Sequence, residues 1–173
     1  ESEVGNYAVA VKLIDVIYIF PIVIISSIFP YLISIYKNND LFKEKILLIY
    51  RSISFFSIIA ILFFYITGGE LIHLLYGEAY ENSINVFAIL IFGILFQSFS
   101  HLNGRWILLK NYQIFSMYRT IFGSILNIIL NYIFIPKYGI NGAAYSTILT
   151  LFFSVFLFYF INNKTREIFY IQL

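Results

Sequence analysis

Residues 84–109 read INVFAILIFGILFQSFSHLNGRWILL, an apolar run in which Arg105 is the only ionised side chain. An α-helix needs about 20 such residues to cross about 30 Å of hydrocarbon, so this run is long enough to span a membrane. Similar runs recur along the whole chain, at about 11–35, 46–66, 84–109, 114–135 and 140–161. We therefore expect an all-α protein, a polytopic membrane helix bundle of about five transmembrane helices.

The composition supports a membrane protein and excludes several other classes. Hydrophobic residues make up 61% of the chain and charged residues only 12%, whereas soluble domains carry about 25% charge. A net charge of +2 without a basic cluster does not indicate nucleic-acid binding. The chain has no cysteine, so disulfides and thiolate sites are excluded. We expect membrane lipid, and no nucleic acid, among its partners.

The extent of the sequence suggests a fragment. It starts at Glu1 rather than at a methionine, and the number of predicted spans is odd. We expect residues 1–173 to form a single transmembrane domain from a longer protein.

Basic residues between the runs predict the orientation. Nearly all of them fall on one predicted side: Lys37, Lys43, Lys45, Arg51, Arg105, Lys110, Arg119, Lys164 and Arg166. Only Lys12 and Lys137 lie toward the other side. The positive-inside rule then places the C-terminus in the cytoplasm and the N-terminus outside. Within this scheme, Thr67-Gly68-Gly69 is expected to end the second helix, because paired glycines weaken helices.

Three spans carry small or polar residues at four-residue spacing, which places each set on one helix face. The stripes are Gly93, Gln97, His101 and Arg105; Arg119, Gly123, Asn127 and Asn131; and Gly142, Ser146, Thr150 and Ser154. Such stripes either pack helices together or line a polar cavity. If they line a cavity, the candidates for a substrate path are Gln97, His101, Arg105, Arg119, Asn127 and Asn131.

The first span carries the only carboxylate inside an apolar run. Lys12 and Asp15 are three residues apart and so share a helix face. They either neutralise each other as a pair or serve as an ion-coupling site. Pro21 and Pro30 in the same span each remove a backbone donor and favour a kink.

The sequence lacks the common catalytic motifs. It contains no G-x-x-x-x-G-K-[ST], no H-E-x-x-H and no G-x-S-x-G segment. We therefore expect no catalytic residue, no metal, no cofactor and no enzyme activity.

Three segments, taken in order, resemble a known family. They are residues 4–8, followed by a helix that ends at Phe29-Pro30; residues 76–80, YGEAY; and residues 135–145, IPKYGINGAAY. They resemble bacterial polysaccharide flippases, the O-antigen transporters of the multidrug/oligosaccharidyl-lipid/polysaccharide exporter superfamily. The resemblance covers essentially the whole chain and implies the C-terminal lobe of a two-lobed transporter, with a missing N-terminal lobe as its partner.

The resemblance also implies a function and a location. The protein would flip an undecaprenyl-pyrophosphate-linked oligosaccharide, a unit of O-antigen in lipopolysaccharide or of another surface polysaccharide, across the bacterial inner membrane by alternating access. If Lys12 and Asp15 serve as an ion-coupling site, the coupling ion would be a proton or sodium; this expectation rests on the residues and not on the resemblance. Two alternatives stay open: a multidrug extruder of the same superfamily, and a membrane protein or enzyme of glycan assembly that does not transport.

Overall fold

The computed structural model describes residues 2–161 and 163–172, and the elements it defines there are helical. In chain order they are α1 (Ser2–Ile35), α2 (Asn39–Tyr76), a 3₁₀ turn (Glu78–Tyr80), α3 (Asn82–Leu90), α4 (Gly93–Leu109), α5 (Gln113–Phe152), a π-helical turn (Phe153–Leu157), α6 (Phe158–Ile161) and α7 (Arg166–Gln172). In this described part of the chain, four stretches are long and apolar enough to cross a membrane: Glu3–Ile35, Asn39–Tyr76, Asn82–Leu109 and Gln113–Ile161. The prediction of an all-α bundle compatible with a multi-pass membrane protein is confirmed.

The fourth of these stretches is a helical hairpin. Gly139 has φ 56° and ψ −134°, a conformation that L side chains rarely adopt, and the chain reverses there. The two arms then run antiparallel, because the Phe122 and Phe158 rings lie 5.9 Å apart. This agrees with the two separate predicted runs, 114–135 and 140–161.

The predicted end of the second helix is wrong. Helix α2 continues through Thr67-Gly68-Gly69 to Tyr76. Gly68 serves instead as a contact point, because a Cβ at this position would overlap the buried Phe87 ring. Lipid supplies no hydrophobic force between helices, so close backbone approach at small residues provides the attraction.

The run 84–109 forms two helical segments rather than one. Ile91 and Phe92 separate α3 from α4, and the N–H of Ile94 donates to the Ile91 carbonyl at 3.1 Å. Unpaired backbone groups are costly inside hydrocarbon, so such a break needs partners from other helices.

The basic turns meet at one end of the bundle, which we call the basic end and define by residues 36–38 and 110–112. The Lys110 ammonium lies 5.7 Å from the centre of the Tyr36 ring and 3.9 Å from the Glu167 carboxylate. At the opposite end, Ser83 donates to Asn6 at 3.0 Å. The relative placement of these loops therefore follows the charge pattern, whereas the side of the membrane on which each end lies stays a prediction.

The outer surface is apolar. Phe56 is 67% exposed, Ile66 77% and Ile128 69%. Apolar surface on this scale is unusual for soluble monomers and suits contact with lipid. Polar side chains that reach this surface therefore require an explanation.

Candidate polar groove

Helix α4 presents a strip of half-buried polar residues between α1 and the first arm of α5. Gln97 and His101 lie one turn apart and are partly buried, and Gly104 continues the strip. A Cβ added at Gly104 would meet no atom within 4 Å, so the space beside Gly104 is open. We call this feature the polar groove and define its floor by Gln97, His101 and Gly104.

Arg105 forms the wall of the groove on the α1 side. Its Nη2 donates to Ser26 Oγ at 2.9 Å, and its guanidinium lies 4.9 Å from the centre of the Phe29 ring. Both partners belong to α1, so two contacts fix the cation against that helix. The side chain keeps further N–H groups, because a guanidinium has five donors.

Arg119 forms the wall on the α5 side. Its Nη1 donates to Ser100 Oγ of α4 at 2.5 Å. Its charge also acts on the hydroxyl of Tyr159 in α6, so this guanidinium lies where three helices meet.

His101 lies close to both guanidinium groups. Its Nε2 atom is buried and has no hydrogen-bond partner within the described part of the chain. The sequence candidates His101, Arg105 and Arg119 thus come together in one site, with Gln97 a turn away.

The groove carries positive charge without a balancing carboxylate. Among residues 2–161 and 163–172, the ion pairs within 4.0 Å join Lys43, Lys45 and Lys110 to glutamates and include neither Arg105 nor Arg119. Ionised groups inside a span are costly unless they face water, a partner or a ligand. Two guanidinium groups flanking an open floor suit an anion with several oxygens, such as a phosphate.

Asn127 and Asn131 lie elsewhere, in the contact between the two arms of the hairpin. Asn127 Nδ2 donates to Thr150 Oγ1 at 3.3 Å, and Asn131 Nδ2 donates to Asn127 Oδ1 at 2.9 Å. In the same contact, a Cβ at Gly123 would approach Ser154 Oγ to 2.9 Å. Here the polar stripes of the two arms pack against each other, and the proposed role of the asparagines in a substrate path stays a prediction.

Lys12 and Asp15 are exposed and stand apart from the groove. Both lie in described helix α1, yet no ion pair within 4.0 Å joins them, so the mutual neutralisation considered from the sequence is not formed. Asp15 is about 16 Å along α1 from Ser26, given the helical rise. A coupling role for Asp15 would therefore act at a distance from the two arginines.

The groove partners on α1 and α6 could not be found from the sequence. Ser26 is 79 residues from Arg105, and an isolated serine in an apolar helix usually bonds to its own backbone. Only the packing of α4 between α1 and α5 makes Ser26, Phe29 and Tyr159 part of the site. For metals, no group of three His, Asp or Glu side chains occurs in the described ranges.

Comparison with known proteins places the first half of the chain beside one protein family. Residues 1–85 match the family described as "Polysaccharide biosynthesis protein". This range includes two of the three segments on which the sequence resemblance rests, and it fits a role in polysaccharide biosynthesis or export. No curated protein and no solved structure matches the chain. Over residues 1–85, the chain is therefore similar to the polysaccharide biosynthesis protein family.

Proposed function

We propose that the protein is a secondary transporter that flips an undecaprenyl-pyrophosphate-linked oligosaccharide across a bacterial inner membrane by alternating access. The observation that carries this proposal is the pair Arg105 and Arg119, which flank His101 without a carboxylate partner in the described chain. The similarity to the polysaccharide biosynthesis protein family supports the same class of substrate.

The chemistry of such a substrate matches the groove. A sugar–pyrophosphate head carries charge and hydroxyls that hydrocarbon cannot solvate, so it needs a polar path. Arg105 and Arg119 would hold the pyrophosphate through paired N–H donors, and Gln97 would meet sugar hydroxyls along the floor. The apolar outer surface of the bundle would leave the polyprenyl tail in lipid. A second lobe, expected from the family resemblance, would close the groove on its open side.

The two alternative functions fit the groove less well. A multidrug extruder for organic cations would have to bind them beside two uncompensated guanidinium groups, which repel cations. An enzyme of glycan assembly needs a nucleophile or an acid–base pair at the reacting bond. Among the described residues of the groove, His101 is an imidazole without a carboxylate beside it, and the carboxylate Asp15 lies about 16 Å along α1 from Ser26.

The test is replacement of each groove arginine in the full-length protein. A charge-assisted hydrogen bond is worth about 1.5–3 kcal/mol, so Arg105→Ala and Arg119→Ala should each lower glycan flipping roughly tenfold or more. Arg105→Lys and Arg119→Lys should each keep only part of the flipping rate, because lysine lacks the planar guanidinium that forms paired hydrogen bonds to a phosphate. Arg51→Ala serves as the matched control, since Arg51 is exposed on α2 outside the groove.

The assay is surface glycan in cells together with flipping of lipid-linked glycan in vesicles, at matched protein levels. Normal flipping by Arg105→Ala and Arg119→Ala would refute the proposed role of the groove. A gain of cationic-drug export in the wild-type protein would favour the extruder instead.

A further inference from the structure

Helix α7 turns back into the bundle rather than lying outside it. Glu167 at its start is 4.0 Å from the Lys43 ammonium and 3.9 Å from the Lys110 ammonium. Near its other end, Gln172 Nε2 donates to Asn103 Oδ1 at 2.6 Å. Lys110 and Asn103 are seven residues, or about 10 Å, apart along the chain, so α7 runs from the basic end inward alongside α4.

Asn103 links three helices on the face of α4 opposite the groove. Its side chain is fully buried, and its Oδ1 accepts a hydrogen bond from the Tyr50 hydroxyl of α2 at 2.5 Å as well as the bond from Gln172. Residues 101 and 105, two positions to either side of Asn103, point instead toward the groove. The helix that carries Arg105 and His101 is thus tied to α2 and α7 through one amide.

Several contacts hold α7, and the two ion pairs are the weakest. Glu167 is 41% exposed and its ion pairs are long, so solvent screens them. Burial of Ile168 and the hydrogen bond from Gln172 to Asn103 contribute more, because Ile168 and Asn103 are fully buried and Gln172 is partly buried. Thr165, also fully buried, donates to the Tyr159 carbonyl at 3.2 Å and fixes the turn that precedes α7.

The described residues of α7 are held to the bundle by a small set of contacts: the buried Ile168 side chain, the Gln172–Asn103 hydrogen bond and two exposed ion pairs. A segment held in this way can open locally without unfolding of the remaining helices, which gives α7 a docked and an undocked state.

We propose that α7 is a latch at the basic end: when docked it bridges α4, through Asn103 and Lys110, to α2, through Lys43, and when undocked it removes this bridge and loosens α4, which carries Arg105 and His101. Alternating access requires such movement at one end of the bundle, and this part of the proposal rests on the proposed function. The docking and undocking of α7 do not depend on what is transported.

The first experiment measures undocking by thiol labelling of the full-length protein in membranes, with any cysteines outside this sequence replaced. Ile168→Cys places a thiol at a fully buried position, and Tyr170→Cys, on the same helix at a position 63% exposed, is the control. Ile168→Cys should react slowly with N-ethylmaleimide, and adding Gln172→Ala should raise its rate about five- to tenfold. Glu167→Gln should raise the rate only about twofold, and labelling of Tyr170→Cys should not change.

Two labelling results would overturn the latch. If Ile168→Cys reacts as fast as Tyr170→Cys from the start, α7 is not docked. If Gln172→Ala leaves the slow rate unchanged, the bond to Asn103 does not hold α7 in place.

The second experiment locks the latch. Lys43→Cys with Glu167→Cys, joined by a short cleavable bismaleimide, should lower glycan flipping at least tenfold, and cleavage of the linker should restore it. The single variant Lys43→Cys, treated in the same way, should keep its activity. Normal flipping by the locked protein would overturn the role of the latch in the cycle. If even the single variant and the wild-type protein flip no glycan, the proposed function fails, and the labelling rates alone then uphold or overturn the latch.

Discussion

The Tyr18 hydroxyl donates a hydrogen bond to the Leu90 carbonyl at 3.0 Å, at the point where α3 ends. At the break between α3 and α4, the Leu90 carbonyl lacks its usual helical donor, because the N–H of Ile94 donates to the Ile91 carbonyl instead. Gly93, the first residue of α4, has no side chain and so leaves room for the hydroxyl. Tyr18 and Gly93 together make a broken helix compatible with a hydrocarbon environment.

The first prediction concerns this pair. Tyr18→Phe should lower the stability of the purified protein by about 1 kcal/mol, because the Leu90 carbonyl loses its donor. Gly93→Ala should cost about 1–3 kcal/mol, because its Cβ would overlap the Tyr18 hydroxyl. The double variant should lose less stability than the sum of the two single losses, because removal of the Tyr18 hydroxyl also removes its overlap with the Cβ added at position 93.

The measurement is a double-mutant cycle by denaturant or thermal unfolding in detergent. Strict additivity of the two substitutions would show that the hydroxyl and Gly93 are not in contact, and would contradict the geometry of the break.

The second prediction separates the two adjacent glycines of α2. Gly68→Ala should destabilise the protein by about 1–3 kcal/mol, because an added Cβ would overlap the Phe87 ring. Gly69→Ala should be neutral or stabilising by up to about 1 kcal/mol, since its Cβ would meet Ile84 at an ordinary 3.7 Å and alanine favours helices. Thermal melting of the two variants in the same detergent checks this difference. Equal effects would mean that α2 does not approach Phe87 closely.

These glycines also show what the sequence could predict. The five apolar runs and the hairpin between residues 135 and 140 follow from length and hydropathy, because a membrane imposes both on a spanning helix. Gly68-Gly69 misled the prediction, because a glycine pair that ends a helix in water can instead pack helices in lipid. A local pattern does not distinguish these roles without the position of Phe87.

The groove was predictable in part. The spacing of Gln97, His101 and Arg105 predicts that they share one polar face of a helix, but it does not predict which residues of other helices contact them. Their partners are long-range, and Arg119 joins them only because α5 packs beside α4. Helix α7 could not be predicted from a local pattern, because tertiary contacts with Lys43, Lys110 and Asn103 hold it.

The third prediction tests ion coupling at Asp15. This carboxylate is exposed and has no ion pair with Lys12, so its charge is available to an ion. Asp15→Asn in the full-length protein should weaken the dependence of glycan flipping on a proton or sodium gradient severalfold. Glu70 is an exposed carboxylate on α2, and Glu70→Gln is the control, which should leave the dependence of flipping on the ion gradient unchanged. The measurement is flipping in vesicles across a series of gradients, and identical profiles for Asp15→Asn and wild type would exclude the coupling role.

The fourth prediction decides between packing and a substrate path at Asn127. Its amide donates to Thr150 at 3.3 Å and its oxygen accepts from Asn131 at 2.9 Å, so Asn127→Ala loses both bonds. Thr150→Val removes one of these bonds and keeps the Asn127 side chain. If Asn127 only packs the hairpin, both variants should lose about 0.5–1.5 kcal/mol of stability and any loss of flipping should follow that loss.

If Asn127 also meets the glycan, Asn127→Ala should flip several times more slowly than Thr150→Val at equal stability. We expect the first outcome, because Asn127 donates its Nδ2 hydrogen bond to the facing arm of the hairpin and its Oδ1 accepts from Asn131. Flipping rates of the two variants, plotted against their melting temperatures, distinguish the two roles. A flipping rate of Asn127→Ala far below that of Thr150→Val at the same melting temperature would show that Asn127 contacts the glycan.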